Sequence, residues 1–260
     1  EIQKEHVDNF NSEFIEKEWE LVIIVDNSGS TGSTMKSGIT RYEVIEGVAK
    51  ISMCLGTYCD PTGSDVYFLN GESKRIPNIK DPQVLENEFA RGPSGLTPLA
   101  STLRSAITDN LTVANKLAIL VITDGAPSEE NHWNTGAVTK GTTLLAEVLG
   151  DKDLRPKDAD GKDRVRIGFR PVYDGTLEYL ENFDTGYTGV SVISDYPTEY
   201  AQVQQHNPGA KFTVGDHAAT TLLSIVSDHY DNLDEKRVAQ GTGGNVYQIP
   251  PGEGGCCVVS

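Results

Sequence analysis

Short, wholly apolar runs alternate along this chain with stretches whose apolar residues recur at helical period. Leu21-Val22-Ile23-Ile24-Val25, Val66-Tyr67-Phe68-Leu69 and Leu117-Ala118-Ile119-Leu120-Val121-Ile122-Thr123 are the clearest runs. Continuous apolar character is what a strand buried on both faces of a parallel sheet requires. Behind the first run, Thr40-Arg41-Tyr42-Glu43 reads as a capping box, and Val44, Ile45, Val48, Ile51 and Leu55 follow at helical spacing. Asp81-Pro82 predicts an N-cap with proline at the first helical position and a helix running to about Arg91. Thr97-Pro98 repeats that signature ahead of Leu99, Leu103, Ala106, Ile107 and Leu111. The pattern continues with a helix near 138–149, a strand over 164–173, a helix from Asp174 to Phe183 and a strand from Val190 to Ser194. Leu222, Leu223, Val226, Tyr230 and Leu233 mark a late helix, and Val7, Phe10 and Phe14 predict a short helix near the start.

Strands alternating with helices predict an α/β fold, a doubly wound and mostly parallel sheet flanked by helices. The organisation expected is an N-terminal extension over 1–18, one domain over 19–235 and a C-terminal extension over 236–260. Sheets of this kind bind ligands beyond the carboxyl ends of their strands. There the first strand runs into Asp26-Asn27-Ser28-Gly29-Ser30, and the long apolar strand runs into Asp124-Gly125. Adding the loop that carries Thr97 brings together two carboxylates and three hydroxyls. These are hard oxygen donors, suited to Mg²⁺, with Mn²⁺ or Ca²⁺ as alternatives, and unsuited to soft metals. Without a cation the two carboxylates repel, and one tends to keep its proton.

Three segments in this order resemble the metal-ion-dependent adhesion site (MIDAS) of the von Willebrand factor type A (VWA) family: Asp26-Asn27-Ser28-Gly29-Ser30, Thr97 within Gly95-Leu96-Thr97-Pro98, and Asp124 within Ile122-Thr123-Asp124-Gly125. The resemblance covers about residues 19 to 230. It implies a Rossmann-like fold in which Ser28, Ser30 and Thr97 offer hydroxyl oxygens directly, while Asp26 and Asp124 bind directly or through water. It further implies a non-enzymatic, cation-dependent protein-binding module for adhesion or scaffolding, whose metal captures an Asp or Glu side chain of a protein partner. Glu129, His132 and Trp133, in the loop after Asp124, are candidates for the rim that meets the partner.

Charge narrows the partners. The chain carries 22 Lys+Arg against 38 Asp+Glu, a formal net charge of -16. That excess repels nucleic acid and anionic membranes. A membrane contact is expected only through the C-terminus, where Cys257-Val258-Val259-Ser260 has the form of a C-a-a-X prenylation signal and Cys256 offers a second lipid position. Cys54 and Cys59 read as free thiols, which points to a cytoplasmic compartment. Asp158-Ala159-Asp160-Gly161-Lys162-Asp163 resembles a calcium loop, but an EF-hand alignment puts Pro156 where a carboxylate is required and Ile167 where Glu is required. Two rival readings are a metal-dependent hydrolase and a lipid-anchored scaffold. The hydrolase would need a general base, for which only His132, Glu129 and Glu130 are placed, with no positioned pair.

Overall fold

The computed structural model describes residues 8–9, 11–15, 18–60, 62–71, 74–112, 114–128, 136–173, 177–206, 208–228 and 230–231. Its centre is a six-stranded sheet built from β1 (Trp19–Val25), β2 (Ser64–Phe68), β3 (Arg75–Ile79), β4 (Lys116–Thr123), β5 (Val165–Pro171) and β6 (Val190–Val192). The strand order is β3-β2-β1-β4-β5-β6, and only β3 runs antiparallel to its neighbour. The helices are α1 (Arg41–Cys59), α2 (Glu86–Phe89), α3 (Leu99–Asn110), α4 (Gly136–Gly150), α5 (Glu178–Gly186), α6 (Tyr196–His206) and α7 (Val214–Val226). This is the doubly wound α/β architecture. Its strand order reverses direction between β1 and β4, so the carboxyl ends of those two strands border the switch-point crevice.

The period-two alternation of side chains splits each central strand between two cores. Leu21, Ile23 and Val25 of β1, with Leu120 and Ile122 of β4, pack with Ile45, Ala49 and Met53 of α1 and Leu222, Leu223 and Val226 of α7. Val22 and Ile24, with Ile119 and Val121, pack on the other side with Leu99, Leu103 and Ile107 of α3, Leu145 and Leu149 of α4, and Phe183 of α5. Burial on both faces explains why these strands read as unbroken apolar runs. Near the start of the chain, Asn11–Ile15 forms one π-helical turn that seats Phe14 fully in the first core. No helix among the described residues is long and apolar enough to cross a membrane.

Several elements differ from the sequence pattern for identifiable reasons. β3 carries no apolar run, because it is an edge strand with Pro77 in it and only Ile79 is buried. α6 is poor in apolar residues; its start is set instead by Asp195, whose Oδ1 accepts from the Thr198 amide at 2.8 Å. The predicted helix from Asp81 opens as a 3-10 turn over Pro82–Leu85, capped by Asp81 on the Gln83 amide at 3.0 Å, before α2. α7 begins at Val214 rather than near Leu222, behind a capping box formed by Thr213 and Asp216. Its first two turns look polar in sequence, yet Asp216, His217 and Thr221 are buried. In the suspected calcium loop, Asp158 Oδ1 accepts from the amides of Asp160 (3.0 Å) and Lys162 (2.9 Å), so that carboxylate folds its own turn. Cys54 is a free thiol. The Cys59 side chain, Val7, Phe10, Leu233, and Cys256 and Cys257 of the prenylation signal lie outside the described residues.

Two positions give direct tests of this packing. Gly168 of β5 lies under α7, and a Cβ there would stand 2.5 Å from Ile225 Cγ1 and 2.9 Å from Ile193 Cδ1. Gly168→Val is therefore expected to lower stability by about 1–3 kcal/mol in urea unfolding. Gly47, inside α1 with open space at its Cβ position, should instead gain about 0.5–1 kcal/mol on replacement by alanine.

His217 provides a test by pH. Its ring is buried against Tyr196 and Phe212, and Nε2 lies 3.0 Å from the Ser194 carbonyl oxygen. Burial first, then the Arg170 charge, lower its pKa to about 4, against opposing contributions from Ser194 and Asp195. The folded protein keeps this ring neutral where the unfolded chain would protonate it. Stability should thus fall as the pH drops from about 6.5 towards 4, with His217 contributing roughly 3 kcal/mol of the loss. Urea titrations across that range should show a flatter pH dependence for His217→Gln than for the wild type.

Candidate metal centre

β1 and β4 deliver their terminal residues side by side, with the Asp26 amide donating to the Ile122 carbonyl at 2.9 Å. Asp26 and Asp124 are each only 1% exposed. Asp26 Oδ1 accepts from the Ser28 amide at 2.9 Å, and Oδ2 accepts from the Thr123 hydroxyl at 2.7 Å and the Asp124 amide at 3.4 Å. Ser28 and Ser30 share a hydrogen bond between their Oγ atoms at 3.1 Å, and Ser30 Oγ donates to Asp124 Oδ1 at 2.8 Å. Four of the five predicted donors, Asp26, Ser28, Ser30 and Asp124, thus form one hydrogen-bonded cluster at the switch point.

Thr97 belongs to the adjoining loop and has no direct hydrogen bond to that cluster. Its local role differs from the sequence expectation. Pro98, with φ -76 and ψ 61, stands before α3 where Thr97 was expected to act as N-cap. The Leu99 amide donates to the Thr97 carbonyl at 2.7 Å, which makes Thr97-Pro98-Leu99 an inverse γ-turn. The Thr97 hydroxyl is therefore not spent on capping the helix.

A lattice of hydrogen bonds holds the loops in register. Asn27 Nδ2 donates to the Asn70 carbonyl (2.9 Å) and Asn27 Oδ1 accepts from the Asn70 amide (2.8 Å), tying the first loop to the end of β2. Asn70 Nδ2 donates to the Leu96 carbonyl at 2.6 Å, and the Gly29 amide donates to the Gly95 carbonyl at 3.1 Å. Thr97 and Ser128 form a two-way bridge, Ser128 amide to Thr97 carbonyl at 2.8 Å and Thr97 amide to Ser128 Oγ at 3.2 Å. Thr97 is thereby fastened both to the loop after β1 and to the loop after β4.

Burial raises the Asp26 pKa and the neighbouring Asp124 charge adds to the rise, against hydrogen bonds from Ser28 and Thr123 that lower it. Tyr179 of α5 is partly buried, close enough to both carboxylates to feel their charge, and donates to the Gly125 carbonyl at 2.9 Å. Burial, then the charges of Asp26 and Asp124, push its phenol well above the ordinary range, so it serves as a donor. Arg41, the first residue of α1, reaches in from one side, with Nη1 2.9 Å from Asp124 Oδ2. Thr123, Arg41, Tyr179 and the Asn27–Asn70 pair were not picked out as site residues in the sequence. Glu129, His132 and Trp133, the rim candidates, lie outside the described residues.

The donor types suit a hard divalent cation: two carboxylates with serine and threonine hydroxyls, of which Ser30 is exposed and Ser28 and Thr97 are buried. Among the described residues no group of three or more His, Cys, Asp or Glu is arranged to hold a metal. A centre here would therefore depend on the hydroxyl oxygens as much as on the acids.

Fold and donor set together define a doubly wound α/β domain with an oxygen-rich cluster at its switch point. No known protein family and no curated protein matches the sequence. Among solved structures, a pilus adhesin, SpaC, from Lactobacillus rhamnosus GG is similar at 13% identity and a TM-score of 0.43 over 79% of this chain and 31% of that one. A von Willebrand factor type A protein from Catenulispora acidiphila is similar at 13% identity and a TM-score of 0.36, over 74% of this chain and 42% of that one. The vWF domain of the type V pili tip protein Mfa5 from Porphyromonas gingivalis is similar at 12% identity and a TM-score of 0.32, over 88% of this chain and 98% of that one. This chain thus spans less than half the length of the first two proteins. Likeness at this level says nothing of the chemistry at the site, which rests on the residues themselves.

Gly95 tests whether the loop lattice is as exacting as its geometry implies. Its φ is +84, and a Cβ there would collide with the Asn70 carboxamide. Gly95→Ala should cost about 1–3 kcal/mol in denaturant unfolding.

Proposed function

We propose that this domain is a divalent-cation-dependent protein-binding module, used for adhesion or scaffolding, in which Asp26, Ser28, Ser30, Thr97 and Asp124 hold the cation. The observation that carries the reading is the placement of two buried carboxylates, joined through serine hydroxyls, at the switch point of the sheet. Among the described residues, Arg41 pairs with Asp124 while Asp26 has no ion-pair partner. One negative charge is left uncompensated in a buried place, which is the condition under which a cation is strongly favoured.

In this reading Ser28, Ser30 and Thr97 present neutral oxygens, and Asp26 and Asp124 supply the charge directly or through water. Mg²⁺ is the expected occupant, with Mn²⁺ or Ca²⁺ as alternatives. Once bound, the cation supplies an open coordination position for a carboxylate oxygen of a partner. With two carboxylates against Arg41 and a doubly charged ion, the loaded site has one positive charge in excess, so it attracts an acidic side chain. The five residues are assigned no catalytic step.

Mg²⁺ at about one hundred times its dissociation constant should stabilise the protein by about 2.7 kcal/mol. EDTA should remove that gain, and Asp26→Ala should abolish it. Calorimetric titration with Mg²⁺ and Mn²⁺, alongside thermal melts, provides the check. Equal melting temperatures with Mg²⁺ and with EDTA, together with no binding heat, would show the reading to be wrong. The partner half is tested by water-proton relaxation of Mn²⁺-loaded protein, which should fall when a short Glu-containing peptide displaces a bound water.

A further inference from the structure

Arg41 pairs with a buried carboxylate of this centre, but in a geometry that a purely structural ion pair does not require. It is the first residue of α1, where a positive charge opposes the helix dipole. Its Nη1 contacts Asp124 Oδ2 at 2.9 Å; the carboxylate is fully buried, and the arginine side chain keeps 17% exposure. Its Nε is buried without a hydrogen-bond partner. Its Cζ lies 4.6 Å from the centre of the Tyr173 ring, and Tyr173 itself is exposed just beyond β5. An arginine fixed only for stability would be expected to satisfy Nε and use both arms of its fork on the carboxylate. This one makes a single contact to Asp124 and rests its flat face on an exposed ring.

The two oxygens of Asp124 are both engaged, Oδ1 by Ser30 and Oδ2 by Arg41. We propose that Arg41 is a tethered counter-ion, which occupies Asp124 when no divalent cation is bound and competes with that cation for it. This inference rests on the cation reading above and adds the residue that sets the affinity. With Arg41 in place the empty site carries one excess negative charge instead of two, so Asp124 stays ordered without metal. Loading the site requires the guanidinium to give up Oδ2. The Tyr173 face keeps it close by cation–π attraction.

The test is Mn²⁺ affinity at fixed ionic strength, read from the electron paramagnetic resonance of free Mn²⁺, with folding followed by circular dichroism. The proteins are wild type, Arg41→Gln, Arg41→Lys, Asp26→Ala and, as a surface control, Arg91→Gln. Arg91 pairs with Glu88 at 3.0 Å, makes no contact with the five donors and is half exposed. Two like charges this close interact strongly even at a protein-like dielectric, so Arg41→Gln should bind Mn²⁺ about tenfold tighter than wild type, or more. Arg41→Lys, which loses the stacking and the fork, should fall between them, and Arg91→Gln should match wild type. In EDTA, Arg41→Gln should melt below wild type and recover further on adding Mn²⁺.

Wild type and Arg41→Gln binding equally, or the variant binding more weakly, overturns the competition while leaving the cation site standing. Neither binding better than Asp26→Ala overturns both. Should Arg41→Gln fail to fold without the ion, Arg41→Lys decides alone: tighter than wild type supports the competition, and equal or weaker overturns it.

Discussion

Two carboxylates are buried within reach of the same serine hydroxyls, at the point in the sheet where the strand order reverses, and much of the surrounding structure is organised by that fact. Asp26 and Asp124 leave β1 and β4, the two central strands of the sheet, so their charges lie at the end of a dry interior. A buried charge that is neither paired nor hydrogen-bonded costs several kcal/mol. The fold answers with donors: the Ser28 amide and Thr123 hydroxyl on Asp26, and Ser30 and Arg41 on Asp124. None of these donors brings a full positive charge to Asp26, whose pKa remains raised by burial. The site is well held but not neutral, and that residual imbalance is the physical basis for expecting a cation.

Holding such a cluster requires loops with little freedom. The Asn27 side chain acts as a substitute strand partner, continuing the β1–β2 ladder past the last regular residue by pairing with the main-chain amide and carbonyl of Asn70. Asn70 also grips Leu96, and Gly95 admits that grip because it has no Cβ. The result is a chain of hydrogen bonds from the loop after β1, through β2, to Thr97, and through Ser128 to the loop after β4. Each connection is weak alone, at about 1 kcal/mol. Together they fix three segments that are far apart in sequence, which is what a multidentate oxygen site demands.

The central strands, the two carboxylates and the capping box of α1 were legible because each rests on a local rule: double-sided burial gives unbroken apolar runs, and a strand that ends in Asp at a sheet's carboxyl edge is conspicuous. Thr97 stood out by its place in the motif, but its conformation was not legible. The pair Thr-Pro suggested an N-cap; instead Thr97 enters an inverse γ-turn through the Leu99 amide and bridges Ser128, thirty-one positions away. β3 and α6 were missed because an edge strand and a polar helix need little apolar periodicity. Arg41 did leave a trace, since a cation in the first turn of a helix runs against the dipole and such local inconsistencies tend to mark functional sites. Tyr179 left none: its role depends on α5 being folded back over the carboxyl end of β4.

The distribution of acidity adds a constraint on what the proposed cation site would accept. The chain as a whole carries a net charge of -16, a field that gathers cations and repels acidic surfaces. Under the proposed reading, an acidic partner residue must be captured against that field by a site with a single excess positive charge. Such an attraction is short in range, since a Debye length of about 8 Å screens it at physiological salt. A partner with an extended acidic face would be turned away before its carboxylate reached the centre. The surface that fits is one in which a solitary Asp or Glu projects from basic or neutral surroundings. Overall charge would then select the partner's surface, and the switch-point cluster would select the single side chain within it.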